Sequence, residues 1–203
     1  MSQRSVVAEL LEQHGTTSAA EAGIRLADKP GPLFQLLVLT QVSSARISAA
    51  IAVAAARALF ERGWVTPDKL RASTWDQRVA ALGSAGYRRY DFSTATALDQ
   101  LAIQVLDEHG GDLRRLRPAD HAGVRQLEKA VRSFPRIGPA GAGIFCREVQ
   151  GVWPEVAPYF DARALEAARD LELPTDPDRL AGLAPEGRVA ELAAALVRAE
   201  RRR

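Results

Sequence analysis

Apolar positions recur along almost the whole chain at three- and four-residue intervals, the period of an amphipathic helix. In residues 5–14, Val6, Val7, Leu10 and Leu11 share one side, and Gly15 stops the run. Ser18-Ala19-Ala20-Glu21 has the spacing of a capping box and opens a short helix. Lys29-Pro30-Gly31-Pro32 reads as a turn, where the chain would cross between domains. Leu33-Phe34-Gln35-Leu36-Leu37-Val38-Leu39 reads as apolar all round. A helix without a polar face belongs in an interior, so this one is expected in the core, ending near residues 40–44. Ser44 to Glu61 is a long Ala-rich helix that Gly63 ends. Thr66-Pro67 and Thr74 before Trp75 are helix starts, with Trp75, Val79 and Leu82 expected inward on the second. A loop at Gly83–Tyr90 leads into a helix from about Ser93 to His109, and Gly110-Gly111 turns the chain. Asp161–Leu171 is helical, residues 174–177 form a Pro-rich turn, and a last helix runs from about Pro185. Strand formers are sparse, while Ala, Leu, Arg and Glu are frequent, so the class is all-α.

One stretch breaks this rhythm. The polar, basic segment Asp120–Ser133 leads into Phe134-Pro135-Arg136-Ile137-Gly138-Pro139-Ala140-Gly141-Ala142-Gly143-Ile144-Phe145. Phe134 cannot stay helical comfortably before Pro135. Gly138 can take φ > 0, and Pro139 is preset for a first helical position. The pattern is helix, tight hairpin, helix. The second helix leaves N–H groups at its start that can hold an anion such as a phosphate.

These residues resemble the helix–hairpin–helix motif of the endonuclease III-like DNA glycosylases, whose usual hairpin reads Leu-Pro-Gly-Val-Gly. That family carries an aspartate beyond the second helix, and Asp161 stands 23 residues past Gly138. The resemblance runs from about Pro32 to about Leu173. It implies two helical lobes, one of residues 32–150 containing the hairpin, the other formed by residues 1–31 and 151–203. Double-stranded DNA would lie across the cleft, with Arg136, Ile137, Gly138, Ala140 and Gly141 against its backbone. The family places a gap-filling polar residue after a buried helix, and Gln41 matches it. An amide can donate to and accept from an orphaned base; Gln41 also reads as an ordinary helix end. Gly86-Tyr87-Arg88-Arg89 resembles the family loop of the form Gly-Leu-Tyr-x-x-Lys-Ala, so Tyr87, Arg88 and Arg89 are DNA-contact candidates. Gly141 and Gly143 each cost a helix about 1 kcal/mol relative to alanine. Close approach of another helix or of DNA would explain them.

Breaking an N-glycosidic bond builds positive charge on the sugar, which a nearby carboxylate stabilises. The resemblance gives that role to Asp161. Asp161 also stands where a helix begins, so it equally reads as an N-cap. The lysine that serves bifunctional members as nucleophile falls two residues after the last hairpin glycine, and here that position is Ala140. Water is then the nucleophile and no strand cleavage follows. Two further departures are Arg136, where the first hairpin glycine usually stands, and Asp161-Ala162-Arg163 in place of Asp-Thr-His. Trp153, Tyr159 and Phe160 are candidates for a base pocket, which would favour an alkylated purine by cation–π attraction; all three equally read as core. A DNA-binding protein of the same shape without catalysis is the alternative, and a helical protein–protein adaptor a third.

Composition narrows the picture further. At 203 residues, 47% hydrophobic and 26% charged, the chain is globular. Its one cysteine, Cys146, excludes an internal disulfide and a four-cysteine metal or iron–sulfur site, and is expected to be a buried thiol. No metal or other cofactor is expected. No apolar run is long enough to span a bilayer, and the start Met-Ser-Gln-Arg-Ser-Val-Val has no signal-peptide core, so a cytoplasmic monomer off the membrane is expected. The net charge is only +2, but residues 111–137 hold seven cations against three carboxylates. Such a patch beside an anion-binding hairpin suits a phosphate backbone. Arg201-Arg202-Arg203 reads as a frayed tail.

Overall fold

The computed structural model describes residues 2–200, the side chain of Glu200 excepted, and its regular structure is helical throughout. The Arg201–Arg203 tail lies outside the described residues. Twelve α-helices follow one another: α1 (Gln3–His14), α2 (Ser18–Glu21), α3 (Pro30–Ser43), α4 (Ala49–Glu61), α5 (Pro67–Arg71), α6 (Trp75–Ser84), α7 (Asp91–His109), α8 (Val124–Arg132), α9 (Pro139–Val149), α10 (Ala162–Asp170), α11 (Pro177–Ala181) and α12 (Val189–Glu200). No helix among the described residues is long and apolar enough to cross a membrane.

Most starts are set by a side-chain oxygen accepting from the first turn. Ser48 caps α4, Thr66 caps α5, and Thr74 with Gln77 forms a full capping box on α6. Starts that differ from expectation include α4, which opens at Ala49 rather than Ser44, and α12, at Val189 rather than about Pro185. Thr17, not Ser18, caps α2. Pro30 and Pro32 are not a turn but the first turn of α3, where a proline loses no hydrogen bond. α11 was not anticipated, because five residues carry too little periodicity to register.

α3 is the axis of the larger core. Leu33, Phe34, Leu36, Leu37, Val38, Leu39 and Val42 are wholly buried against α4, α9 and their neighbours. Each such side chain contributes about 1.5–3 kcal/mol by leaving water. A second cluster gathers Val7, Leu10 and Leu11 of α1, Ala164, Ala167 and Ala168 of α10, and Leu192 and Leu196 of α12. Ala19, Ala22 and Ile24 belong to the first cluster, and so do Trp153 and Val156. The larger core therefore reaches past both ends of the 32–150 segment. α9 packs on α3 and α8 within the first cluster and on α12 within the second, so it joins the two.

Two buried or bridging carboxylates fix the joint. Glu148, 2% exposed on α9, accepts from the N–H groups of Ser18 and Ala19 at 3.0 Å each. A carboxylate at the start of α2 satisfies donors that the helix leaves free. Glu21, at the other end of α2, pairs with Arg198 of α12 at 2.6 Å. Trp75 is 40% exposed and stacks on Phe92, which is 61% exposed, rather than pointing inward as its spacing predicted.

Candidate nucleic-acid interface

The hairpin is held from beneath. Phe134 is buried with its ring 5.6 Å from that of His109, and Ile137 is buried beside it. The Gln41 amide donates to Pro135 O at 2.8 Å and to Ala97 O at 3.1 Å. Gln41 is 3% exposed. It is an internal tie between α7 and the hairpin, so the gap-filling role expected of it has no exposed side chain to perform it. The cause is that α3 continues past Gln41 to Ser43, leaving the glutamine inside its last turn. Tyr87 is likewise 1% exposed, its hydroxyl donating to Val42 O at 3.2 Å and accepting from Thr94 Oγ1 at 3.3 Å. It anchors the 83–90 loop from inside rather than facing outward.

The hairpin's left-handed residue is Arg136, at φ +60°, not Gly138, which is extended at φ −94° and ψ −171°. The position that usually holds the first glycine thus keeps that backbone with an arginine, at about 1–2 kcal/mol of strain. Its side chain is exposed. Gly138 is the N-cap of α9 and supplies no side-chain cap, and Pro139 follows at the first helical position. Ala142 N–H returns to Gly138 O at 3.0 Å, so the N–H groups of Ala140 and Gly141 precede the helix's own hydrogen bonds. Ala140 is exposed, with no amine at this place. A methyl built on Gly138 would meet nothing within 4 Å. One built on Gly141 would lie 2.2 Å from Ser44 Oγ and 2.8 Å from Ile137 Cγ2. Gly141 is buried under the end of α3, which is the close helix approach that its presence in α9 implied.

Cations flank this end. Arg125, Lys129 and Arg132 are exposed along α8, at the spacing of one helical face. Arg88 and Arg89 are exposed on the neighbouring loop, with Arg89 5.4 Å over the Tyr90 ring. Two other cations of the basic segment are committed elsewhere, while Arg115 is exposed. Arg114 pairs with Asp112, and Arg117 bridges Asp28 and Glu155 at 2.7 Å each.

Asp161 caps α10, its Oδ1 accepting from Ala164 N at 2.9 Å. Its Oδ2 pairs with the Arg147 guanidinium of α9. The approach is possible because Gly143, one turn before Arg147, has no side chain: a methyl there would lie 3.2 Å from Asp161 Oδ2. Arg147 is 6% exposed and its Nε has no partner among the described residues. It lines a cavity of about 570 Å³ at the joint between the clusters, with Ser43, Ile47, Val53, Ile144 and Val197 also on its walls. Ser43 neighbours the residue that covers Gly141, so the cavity adjoins the hairpin helix.

None of the three aromatic candidates lines that cavity. Trp153 is fully buried, packed edge-on against Phe145, and its indole donates to Asp28 Oδ1 at 2.8 Å. Phe160 belongs to the second core. The Tyr159 hydroxyl bonds Glu128 Oε1 at 2.6 Å, and burial, with that carboxylate, pushes its ionisation far up. All three took the core reading because each found an apolar or hydrogen-bonding partner in one of the two clusters or against it. Cys146 is buried, and burial raises its thiol well above the ordinary range.

No family model matches the chain, and no curated protein matches it. Solved structures do. A trapped endonuclease III–DNA covalent intermediate, an estranged-adenine complex, aligns over 97% of this chain and 85% of its own, with a TM-score of 0.51 and 16% identity. A non-covalent endonuclease III–DNA complex aligns over the same shares, with a TM-score of 0.52 and 16% identity. The fold is that of endonuclease III. At this identity the likeness is one of backbone architecture: an all-helical, helix–hairpin–helix glycosylase fold. Within that endonuclease III fold, three residues that sequence reasoning passed over organise the site: Ser44, Arg147 and Glu148. Their signal was present for two of them. Arg147-Glu148 is a charged pair inside the otherwise apolar run Gly143–Val149, and charges on a core helix need partners.

Proposed function

We propose that the chain binds duplex DNA at the hairpin and removes a damaged base as a monofunctional glycosylase. The observation that carries the DNA half is the uncapped start of α9. Free N–H groups open there on clear space at Gly138, beside exposed Arg136 and the α8 cations. Backbone donors at a helix start hold a phosphate without a dedicated side chain. The fold's solved neighbours, named above, are DNA complexes.

For the chemical half, Asp161 is the carboxylate offered to the positive charge that develops on the sugar. It can also orient the attacking water. Ala140 provides no amine, so no Schiff base forms and the product is an intact strand with an abasic site. A second reading has its own observation. Both Asp161 oxygens are engaged, one by Ala164 N–H and one by Arg147, which favours a DNA-binding protein without catalysis.

Incubation with duplexes carrying deaminated, oxidised or alkylated bases, followed by alkali, separates the two. Base release is expected, falling about 100-fold or more in Asp161→Asn while duplex affinity is retained. Release that survives that substitution would falsify the role of Asp161. Absence of release across the panel, with salt-dependent binding intact, would establish the second reading. A borohydride-trapped adduct would contradict the monofunctional assignment.

A further inference from the structure

Arg147 is an expensive residue in an unexpected place. A guanidinium carries five N–H donors and no acceptor. On the apolar helix α9 it is 6% exposed, and one amino group is used by Asp161. Its Nε is buried without a partner among the described residues. Buried donors are nearly always satisfied, so an orphan on a cavity wall asks for an acceptor from outside the chain.

The cavity defines what that acceptor belongs to. Ile47, Val53, Ile144 and Val197 give it an apolar wall, while Arg147 and Arg198 bring two guanidinium groups. Its one carboxylate, Glu21, is already paired with Arg198, and its other ionisable group is His14. No Phe, Tyr or Trp ring lines it. Cation–π attraction, the physical basis for holding a cationic alkylated purine, is therefore missing, and no unpaired carboxylate lines the wall to replace it. A flat, neutral base with a carbonyl oxygen matches both the apolar wall and the vacant donor.

We infer that Arg147 is the specificity-determining residue of the cleft, selecting a neutral, carbonyl-bearing base and rejecting a cationic alkylated one. This rests on the reading that a base enters the cleft, but not on its being excised there. The planar fork is what suits an arginine to this selection, since one N–H can stay on Asp161 while others meet the base. A lysine would keep the charge and lose the fork.

The test reads binding apart from chemistry. Duplexes carry one uracil, one hypoxanthine or one N3-methyladenine on a 2′-fluorinated sugar, which blocks excision, and affinity is measured by fluorescence anisotropy against an undamaged duplex. The intact chain is expected to prefer the uracil or hypoxanthine duplex over the N3-methyladenine duplex by about 10–100-fold, the worth of a hydrogen bond to a charged group. Arg147→Lys should lose most of that preference and keep the affinity for undamaged DNA. The double variant Arg147→Met/Asp161→Asn, which removes both charges together, should lose it too, so that an unpaired carboxylate does not confuse the result. Equal or tighter binding of N3-methyladenine by the intact chain overturns the inference, as does a preference unchanged in both variants. On the unfluorinated duplexes, an Arg147-dependent binding preference without base release leaves the inference standing and removes the catalytic half of the proposed function. Failure to bind any duplex overturns both.

Discussion

The hairpin and the carboxylate, both carried on or against α9, are built in opposite ways. At the hairpin the protein ties down everything below the surface and leaves the surface itself free. Gln41 fixes the Pro135 carbonyl, Phe134 and Ile137 are buried, and Ser44 covers Gly141. Above them Arg136 and Ala140 are exposed and Gly138 faces clear space. At Asp161 the carboxylate oxygens themselves are the ones tied down, by Ala164 N–H and by Arg147. A preorganised surface with unspent donors is a binding site as it stands. A carboxylate with both oxygens spent does chemistry only if an incoming group takes over one of its partners. The difference explains why the proposed DNA binding has more behind it than the proposed reaction.

The largest expected effect concerns the carboxylate. Arg147→Met leaves Asp161, whose side chain is 16% exposed, with only its capping bond. Breaking a buried pair by removing one partner costs about 3–5 kcal/mol; partial exposure and the surviving bond place this case at the lower end. Removing both charges in Arg147→Met/Asp161→Asn should recover most of the loss. Urea unfolding midpoints measure both. If the single and double variants are equally destabilised, Arg147 and Asp161 do not act as a pair and the contrast with the hairpin loses one side.

Next come the two hairpin glycines, which look alike in sequence and differ in reason. Gly141→Val drives a branched side chain into Ser44 and Ile137 and should cost about 2–3 kcal/mol by overpacking. Gly138→Leu meets nothing and has a backbone that any residue adopts, so the folded state should hold its melting temperature. Its cost should appear in DNA affinity, about tenfold, because the side chain fills the approach to the α9 N–H groups. A Gly138→Leu chain that binds DNA normally would place the phosphate contact elsewhere.

A smaller effect is expected at Arg136. Arg136→Gly removes left-handed strain and should stabilise the fold by up to about 1 kcal/mol, less what glycine adds to the unfolded chain's freedom. The same change should weaken duplex binding and lower the salt dependence by about one phosphate contact. Gain in stability with loss in binding is the signature of a residue kept strained for its position. Loss of both would make Arg136 a structural part of the hairpin.

How much of this is legible in the sequence follows from how local each cause is. The breaks at Phe134-Pro135 and Gly138-Pro139 are readable because proline sterics act within two residues. The buried run of α3 is readable because six of the seven positions 33–39 are apolar, all but Gln35. Gln41 and Tyr87 stand where their types suit DNA contact, yet their side chains turn inward to carbonyls of Ala97, Pro135 and Val42, and such partners are far away in sequence. The positive φ falls on Arg136 rather than Gly138 because the hairpin's geometry is set by its anchors, not by whichever glycine is at hand. The capping bond of Asp161 is legible from its place before a helix, whereas its second partner, Arg147, leaves no trace in the spacing. Ion pairs across a joint are a property of the packing.

The smallest predicted effect uses acid to act on the hairpin alone. His109, in the last turn of α7, packs against Phe134, the hairpin's main anchor. Burial holds its pKa below the ordinary 6.5, with Arg115 adding to the effect and Glu108 opposing it. The unfolded chain then takes up a proton at a higher pH than the folded chain. Through that interval the unfolded state binds more protons, so stability falls as pH drops from about 7 through 6.5 and on toward the lowered value, and is flat above about pH 7. His109→Phe keeps a ring against Phe134 and removes the titration, so its stability between about pH 7 and 5 should be level where the parent's declines. Asp112 should not respond in that window: held low first by its bond from Arg114, it loses its contribution only as pH falls below its ordinary 3.8. A parent chain whose stability is flat from pH 7 to 5 would remove the His109 titration from the account, and a His109→Phe variant that still declines would show that acid reaches the fold by some route other than the hairpin's anchor.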